Sequence, residues 1–355
     1  MKVLIAMSGG VDSSVAAYLT KTAGHTSGGA IMKMFSCDAL GLCSQDHDDT
    51  ADAQAVATRM DMAFHVFDAT EPFRCRVMDA FVQAYEAGLT PNPCVTCNRC
   101  LKFDYFLQRA LELGYDHIAT GHYAQVRQDP HSGRYLLCKA SDVQKDQSYF
   151  LACLTQEQLA HVVFPLGGLS KDQVREIAQE QGFINARKRD SQDICFVPGG
   201  DYMHFLEHYT GKSYPEGHFL DQTGKIVGRH KGAVAYTLGQ RKGLGLAMGA
   251  PVYVCDKDMC ANTVTVGPNE ALFHKELIAD GWVWYPFSSP TEPIRVQAKA
   301  RSRMTEQPAT VFPMENGYAR VVFDEPQRAM TPGQAVVLYD GDIVVGGGTI
   351  QEVRS

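Results

Sequence analysis

Residues 2–19 decide the fold and read Lys2-Val3-Leu4-Ile5-Ala6-Met7-Ser8-Gly9-Gly10-Val11-Asp12-Ser13-Ser14-Val15-Ala16-Ala17-Tyr18-Leu19. The first six residues are mostly apolar and rich in branched side chains, which is typical of a strand buried on both faces of a parallel sheet. The last five carry apolar residues at helical spacing. Between them lie two glycines, three serines and one aspartate. Glycine lets backbone N–H groups approach an anion, and a helix N-terminus adds unpaired donors and the positive end of its dipole. The stretch therefore predicts a strand, a phosphate-binding loop and a helix.

The loop at residues 8–14 is not a Walker A loop, because no Gly-Lys-Ser/Thr sequence closes it. A glycine turn ahead of an ordinary helix would explain a shorter match. The full heptapeptide resembles the PP-loop of the ATP pyrophosphatase superfamily, whose members split ATP into AMP and pyrophosphate and use the AMP to activate a carbonyl oxygen.

The composition describes a globular protein of two or three domains, with 45% hydrophobic and 21% charged residues. No run of 18 apolar residues occurs and Met1 leads directly into the first strand, so we expect a cytoplasmic protein with no membrane partner. Eleven cysteines, an odd number, argue against a secreted disulfide framework and favour thiol or metal chemistry.

The net charge of −7 disfavours a nucleic-acid partner only weakly, because a local basic face is enough to bind phosphates. Two basic clusters are present, residues 187–189 and the set Lys299, Arg301 and Arg303. Clusters of three are more often plain solvated surface.

Strand-like and helical segments alternate up to about residue 123, which predicts an α/β domain with a parallel sheet covered by helices on both faces. Ligands bind at the carboxyl ends of such strands, where the 8–14 loop, Met32 and Gly121 fall. The pattern changes near residue 200. Short alternating segments from about residue 277, such as 295–299, 318–323 and 335–339, predict a small β-barrel. We therefore expect a catalytic domain at 1–199, a central domain at 200–276 and a C-terminal β-barrel at 277–355.

Two cysteine segments stand out, residues 90–103 and 190–196. In the first, two prolines predict an extended lead-in and a helix that begins near Asn98. A cysteine at a helix N-terminus has a lowered pKa, and Arg99 and Lys102 would lower it further. Buried structural thiols are the expectation for Cys75, Cys138, Cys153, Cys255 and Cys260. For Cys97 and Cys195 we expect chemistry.

Taken in order, ten segments resemble bacterial tRNA-specific 2-thiouridylases of the MnmA type over nearly the whole chain. These segments are 8–14, 32–33, 90–93, 97–98, 102–103, 119–123, 145–150, 194–196, 236–245 and 331–334. The resemblance implies a PP-loop domain, a small central domain and a β-barrel. It also implies thiolation at C2 of the wobble uridine in tRNAs of the Lys, Glu and Gln type.

The resemblance further implies that ATP adenylates O2 of the base. Sulfur would arrive as a persulfide on Cys195, from a cysteine desulfurase directly or through a relay protein. Cys97 would attack that persulfide and form a Cys97–Cys195 disulfide, or would assist the displacement of AMP.

Other positions carry over one by one. The expected ATP site, with Mg²⁺, consists of Ala6, Met7, Ser8, Gly9, Gly10, Val11, Asp12, Ser13, Met32 and Gly121. Relatives often have glycine just ahead of the Met-Ser pair, where this chain has Ala6. Positions expected to meet the flipped-out base are Asn92, Pro93 and Cys94. Further positions expected to touch tRNA are His122, Lys145, Asp146, Gln147, Arg301, Ser302 and Gln334.

Cys94 departs from the family, because many relatives carry aspartate there. One interpretation is neutral drift, with Asp193 or His122 handling protons. The other is that Cys94, Cys97 and Cys195 hold a [4Fe-4S] cluster with one open iron, while the helix carries Cys100 away.

Two rival functions remain open from the residues. Another PP-loop enzyme, such as an amide-forming ligase, would need an ammonia source. No glutaminase-like segment is present, and the residue after Met1 is Lys2, whereas an N-terminal nucleophile would require cysteine there. A metal or redox module on Cys94, Cys97 and Cys100 would want a second ligand pair. Only Cys255 and Cys260 offer one, in another domain.

Overall fold

The computed structural model describes residues 1–35, 49–186 and 194–354. The basic run 187–189 and Asp193 lie outside the described residues, so the expectations that fall on them are not addressed by the structure.

The first domain is built on a parallel sheet of five strands in the order β3-β2-β1-β4-β7. Its strands, together with a hairpin (β5 and β6), are β1 (Lys2–Ala6), β2 (Thr26–Lys33), β3 (Ala63–Asp68), β4 (His117–Ala119), β5 (Gln125–Gln128), β6 (Tyr135–Cys138) and β7 (Val162–Val163). Its helices are α1 (Val11–Thr22), α2 (Asp49–Arg59), α3 (Thr70–Phe73), α4 (Asp79–Glu86), α5 (Pro93–Cys97), α6 (Phe106–Glu112), α7 (Ser148–Leu151), α8 (Gln156–Ala160) and α9 (Lys171–Glu180). Two π-helical segments, Arg74–Met78 and Asn98–Tyr105, join α3 to α4 and α5 to α6.

Strand β1 is buried on both faces, as its apolar run predicts. Val3, Leu4 and Ile5 are fully buried, and they alternate between two cores. Leu4 packs in a cluster with Phe103 on the helix that follows the cysteines, whereas Val3 and Ile5 pack with α1. Successive side chains of a strand point to opposite faces of the sheet, so β1 packs against helices on both faces. The loops that follow the parallel strands lie together at one edge of the sheet. The predicted α/β class is confirmed.

The central part of the chain forms a second, four-stranded sheet in the order β10-β11-β8-β9. Its elements are a 3₁₀ turn (Pro198–Gly200), α10 (Tyr202–Thr210), β8 (Gly217–Leu220), β9 (Ile226–His230), β10 (Tyr253–Asp258) and β11 (Thr263–Gly267). Short 3₁₀ turns follow at Ala233–Ala235 and Asn269–Leu272.

The C-terminal part is a closed β-barrel, which confirms the predicted barrel. Its strands are β12 (Phe273–Trp284), β13 (Ile294–Lys299), β14 (Gln307–Pro313), β15 (Ala319–Arg328), β16 (Ala335–Asp340) and β17 (Ile343–Arg354). The order β12-β15-β14-β13-β16-β17 closes because β12 also pairs with β17. The hairpin β5–β6 of the first domain extends this sheet, since Ile343 pairs with Cys138. The barrel is therefore joined to the catalytic domain through backbone pairing.

No helix in the described part of the chain is long and apolar enough to cross a membrane.

Candidate active site

The loop after β1 is held by its own side chains. Ser13 Oγ donates to the Gly10 carbonyl (2.9 Å) and accepts from the Ser8 amide (3.2 Å). Gly9 has φ +67°, and a Cβ there would lie 2.7 Å from the Asp49 carbonyl oxygen. Only glycine combines this backbone conformation with so close an approach.

A buried ion pair fixes the first turn of α1. Lys171 Nζ, at the start of α9, donates to both carboxylate oxygens of Asp12 at 2.7 and 2.9 Å. The Tyr123 hydroxyl also donates to Asp12, at 2.9 Å. Lys171 is 7% exposed and Tyr123 2% exposed, so the carboxylate is tied to the protein interior on one side.

A third buried residue, Asn185, locks the loop to its helix. Its Nδ2 group donates to the Gly9 carbonyl (3.0 Å) and to Ser14 Oγ (2.9 Å). No sequence pattern predicted a role for Lys171, Tyr123 or Asn185. The only local signal for Lys171 is the capping box of Ser170 and Gln173, which marks a helix start and says nothing of Asp12.

The loop fits the phosphates of ATP. None of the described side chains caps α1 at Gly10, so the first-turn amides are left for an anion, which the helix dipole also favours. Gly121, at the end of β4, lies directly against this turn, as expected. Met32, at the end of β2, packs between the sheet core and the cluster that contains Cys97. The predicted nucleotide residues thus lie at one edge of the sheet, beside the cysteines.

Gly121→Ala is expected to displace the loop, because the new Cβ would lie 2.8 Å from the Asp12 carbonyl carbon and the Ser13 nitrogen. Overpacking of this kind costs about 1–3 kcal/mol. We expect a lower midpoint of thermal unfolding and at least about tenfold weaker ATP binding by calorimetry. Gly168→Ala is the control, since nothing lies within 4 Å of its Cβ position. Equal behaviour of the two variants would contradict the close approach.

The helix of the first cysteine segment begins earlier than predicted. Asn92 is its N-cap, with Oδ1 accepting from the Val95 amide at 3.4 Å, and Pro93 occupies the first turn. Proline is favoured there because its missing N–H would be unpaired in any case. Cys97 therefore lies at the end of α5, where the chain continues into the π-helical segment, and the predicted start near Asn98 is wrong.

The two predicted catalytic cysteines come together. Ile194 and Phe196, which flank Cys195, pack in the same apolar cluster as Cys97 and Leu101. Cys97 is 7% exposed, whereas Cys94 and Cys195 reach the surface. The prediction of buried thiols is wrong for Cys75 and Cys260, which are also exposed. The thiols of Cys97 and Cys94 both act electrostatically on Cys195, so all three belong to one site.

The prediction of a lowered pKa for Cys97 is also wrong. Burial raises the pKa of Cys97, because α5 brings it into the interior instead of exposing it at a helix N-terminus. Desolvation by surrounding protein likewise raises the pKa of Cys94, and that of Cys195 to about 12, although both thiols touch solvent. The Lys102 ammonium acts in the opposite direction and lowers the pKa of all three thiols, as predicted for this residue.

Alkylation of Cys195 by iodoacetamide should therefore accelerate as pH rises from 7 to 9, because the thiolate fraction grows about tenfold per unit below the pKa. Lys102→Met should slow alkylation of Cys97 and Cys195 at any fixed pH, measured by peptide mass spectrometry. Arg99→Met is the control, since the Arg99 charge lowers the pKa of Cys100 and Cys153 instead. Slower alkylation of Cys195 in both variants would contradict a specific effect of Lys102.

Among the described residues, the structure shows no ligand set that would support the iron–sulfur hypothesis. Within residues 1–35, 49–186 and 194–354, no group of three or more His, Cys, Asp or Glu side chains is placed to hold a metal ion. Cys94, Cys97 and Cys195 thus share a site without forming a ligand set.

Several residues expected to touch tRNA have protein partners. Asp146 accepts from the Ala140 amide and from Ser148 Oγ, and Gln147 exchanges hydrogen bonds with the Tyr123 backbone. His122 Nδ1 contacts Thr120 Oγ1 at 2.8 Å, and burial lowers the pKa of His122 well below the usual value, which favours the neutral ring. This argues against His122 as a cationic phosphate contact. Lys145 and Ser302 are half-buried.

Arg301 and Gln334 make contacts that sequence reasoning missed. Arg301 Nη2 donates to the Leu238 carbonyl (3.0 Å) and to Thr331 Oγ1 (2.6 Å), which joins the central sheet to the barrel. Gln334 Nε2 donates to the Thr90 carbonyl at 2.8 Å, next to the cysteine helix.

The fold and the site define a HUP-domain nucleotide-binding protein with two appended β domains. Domain models described as "tRNA methyl transferase HUP domain", "tRNA methyl transferase PRC-barrel domain" and "Aminomethyltransferase beta-barrel domain" match residues 1–199, 203–268 and 274–350. Curated relatives named tRNA-specific 2-thiouridylase MnmA match over the full length. That of Clostridioides difficile is 47% identical over 99% of this chain and 98% of its own, and that of Treponema denticola is 45% identical over 100% and 99%. The chain belongs to the tRNA-specific 2-thiouridylase family.

Among solved structures, a 4-thiouridine synthetase–RNA complex with bound ATP aligns at 16% identity and a TM-score of 0.35, over 56% of this chain and 45% of that one.

Proposed function

We propose that this protein uses ATP to thiolate C2 of the wobble uridine in tRNAs of the Lys, Glu and Gln type. The carrying observation is the packing of the segment around Cys195 against the helix of Cys97, in a cluster that Met32 at the end of β2 also contacts. The names of the full-length relatives support the same reaction. An adenylating loop beside two thiols suits the replacement of an oxygen by sulfur.

In the first step the loop and α1 hold the triphosphate, with Mg²⁺ as its counterion, and the Lys171–Asp12 pair keeps the first turn in place. Bound ATP supplies the AMP that turns base O2 into a leaving group, while pyrophosphate departs. Asn92, Pro93 and Cys94 would meet the flipped base at the start of the cysteine helix, where Cys94 is exposed, Asn92 is half-buried and Pro93 is buried. The tRNA path would be lined by Lys145, Asp146, Gln147, Arg301 and Ser302.

In the second step Cys195 receives a sulfur atom as a persulfide from a cysteine desulfurase or a relay protein. The Cys97 thiolate attacks the sulfur bonded to Cβ of Cys195, the S–S bond of the persulfide breaks, and hydrosulfide leaves. Hydrosulfide adds to C2 and AMP departs with the former O2. The Cys97–Cys195 disulfide then takes two electrons from a cellular thiol. The proximity of the two cysteines favours this route over a direct assist by Cys97.

The decisive experiment combines the protein with unmodified tRNA, ATP, Mg²⁺ and a persulfide-forming cysteine desulfurase, followed by nucleoside mass spectrometry. We expect 2-thiouridine and tRNA-stimulated ATP–pyrophosphate exchange. A methylated nucleoside formed with S-adenosylmethionine, as the domain names would suggest, or an amide product, would overturn the proposal.

Anaerobic reconstitution with iron and sulfide separates the persulfide route from the cluster hypothesis. We expect no visible charge-transfer band, because the described thiols form no ligand set. A band that is lost in Cys94→Ala, accompanied by cluster-dependent thiolation, would overturn the persulfide route.

A further inference from the structure

The β-barrel touches the cysteine helix at the residues that lead into it. Gln334 Nε2 donates to the carbonyls of Thr90 (2.8 Å) and Pro91 (3.4 Å), and the Thr90 amide donates to the Pro332 carbonyl (3.1 Å). Gly333 lies so close that a Cβ there would be 3.2 Å from the Thr90 nitrogen and oxygen. The next residue in the chain after this contact, Asn92, is the N-cap of α5.

The barrel side of this contact is firmly anchored. The Gly333 amide donates to the Ile350 carbonyl and the Ile350 amide donates to the Gln334 carbonyl, both at 2.8 Å. Two backbone hydrogen bonds therefore hold the turn 331–334 on β17. Arg301 holds Thr331, which is 1% exposed. The turn is therefore a rigid part of the barrel.

Strand β16, which follows Gln334, is linked to the other end of helix α5, where Cys97 lies. The Tyr149 hydroxyl donates to the carbonyl of Ala335, the residue after Gln334, at 2.8 Å. The carbonyl of the neighbouring Phe150 accepts from Asn98 Nδ2 at 3.0 Å. Asn98 follows Cys97 directly and is 2% exposed. Residues 334 and 335 thus connect to positions on both sides of Cys94 and Cys97.

We propose that Gln334 is a positioning residue that fixes helix α5, which carries Cys97, to the β-barrel, so that sulfur transfer depends on a contact between domains. The consequence for catalysis rests on the function proposed above. Because Gln334 spends its amide donors on Thr90 and Pro91, its main effect is on the placement of Cys97 and not on tRNA affinity. A displacement of about 1 Å at a reacting group lowers rates by up to about a hundredfold.

Two variants test this. Gln334→Ala removes the side chain, and Gln334→Glu keeps its size but has no amide N–H to donate. Both should lower kcat for thiolation at least tenfold and leave KM for tRNA within about twofold. Both should also accelerate iodoacetamide labelling of Cys97 in the protein alone, relative to the exposed Cys75, with labelling of Cys75 unchanged. Gln327→Ala is the matched control, because Gln327 is a barrel glutamine whose side chain, among the described contacts, bonds only to Glu325 of its own strand.

The labelling assay needs neither tRNA nor ATP, so it tests the positioning role of Gln334 even if the proposed thiolation reaction is wrong. Unchanged labelling of Cys97 in both variants would overturn the positioning role. A raised KM for tRNA with normal kcat would overturn it as well and would identify Gln334 as a tRNA contact. Thermal unfolding of each variant, with Gln334→Glu as the milder change, shows whether the comparison is made on folded protein.

Discussion

Cys195→Ser is expected to take up no sulfur and to make no 2-thiouridine, whereas Cys97→Ser should still accept sulfur on Cys195 and make no product. The reason is the division of labour between an exposed thiol that a donor protein can reach and a buried thiol that resolves the persulfide. The measurement is transfer of ³⁵S from labelled cysteine through a cysteine desulfurase, followed by peptide mapping and nucleoside analysis. We expect product to fall at least about a thousandfold in both variants, as for loss of a catalytic nucleophile.

Cys260→Ser serves as the control for this pair, because Cys260 is also exposed but lies in the central domain. It should retain sulfur uptake and thiolation. Near-normal thiolation by either single variant of the catalytic pair would rule out the two-cysteine route.

Lys171→Met is expected to abolish adenylation and to leave tRNA affinity unchanged. Its ammonium group is buried against Asp12, whose side chain is 30% exposed, so the variant leaves a partly buried carboxylate without its cation. Removing one partner of a buried pair costs up to about 3–5 kcal/mol, and less here because Asp12 keeps some solvent. ATP–pyrophosphate exchange and filter binding of tRNA measure the two effects separately.

The double variant Asp12→Asn/Lys171→Met sharpens this test. It removes the unpaired charge, so the midpoint of thermal unfolding should recover, while exchange should stay lost because the loop is no longer held by charge. Lys212→Met is the surface control, since Lys212 also forms an ion pair, with Glu86, but its side chain is exposed. Exchange at a normal rate in Lys171→Met, or equal loss of tRNA binding, would contradict the assignment.

The nucleotide loop could be predicted from sequence because its signal is local. Its glycines, serines and aspartate lie within seven residues. Lys171 and Asn185 could not be predicted, because they meet the loop only after the sheet has brought α9 and its following turn beside α1. The same holds for Gln334, whose contact with Thr90 joins distant parts of the chain.

The start of the cysteine helix illustrates a different limit. Asn92 and Pro93 carry a cap signal, but Pro91 and Pro93 also favour extended backbone, and the second interpretation was wrong. The π-helical segment that follows has no recognisable sequence signature. The rise in the pKa of Cys97 follows from burial, which depends on residues 194–196 packing on the helix.

The barrel strand β17 shows why glycines mislead. Gly346, Gly347 and Gly348 argue against a strand interior. In the structure a Cβ at each would lie within 2.5–2.7 Å of Trp284, Ala152 or Trp282, so glycine is required for close packing. The barrel was predicted from its other strands, and this one lacked the usual signal.

The hydrogen bonds between β17 and the turn at Gln334 also affect the order in which the enzyme folds during translation. Cys97 is synthesised long before β16 and β17 leave the ribosome, and during that interval nothing from the barrel holds Thr90 and Pro91. The β5–β6 hairpin likewise has no pairing partner until β17 has been synthesised. Domains generally fold as units in the order of translation, so the first domain acquires its core early and its sulfur-transfer geometry late. A nascent chain released before β17 would carry a nucleotide loop without a finished cysteine site.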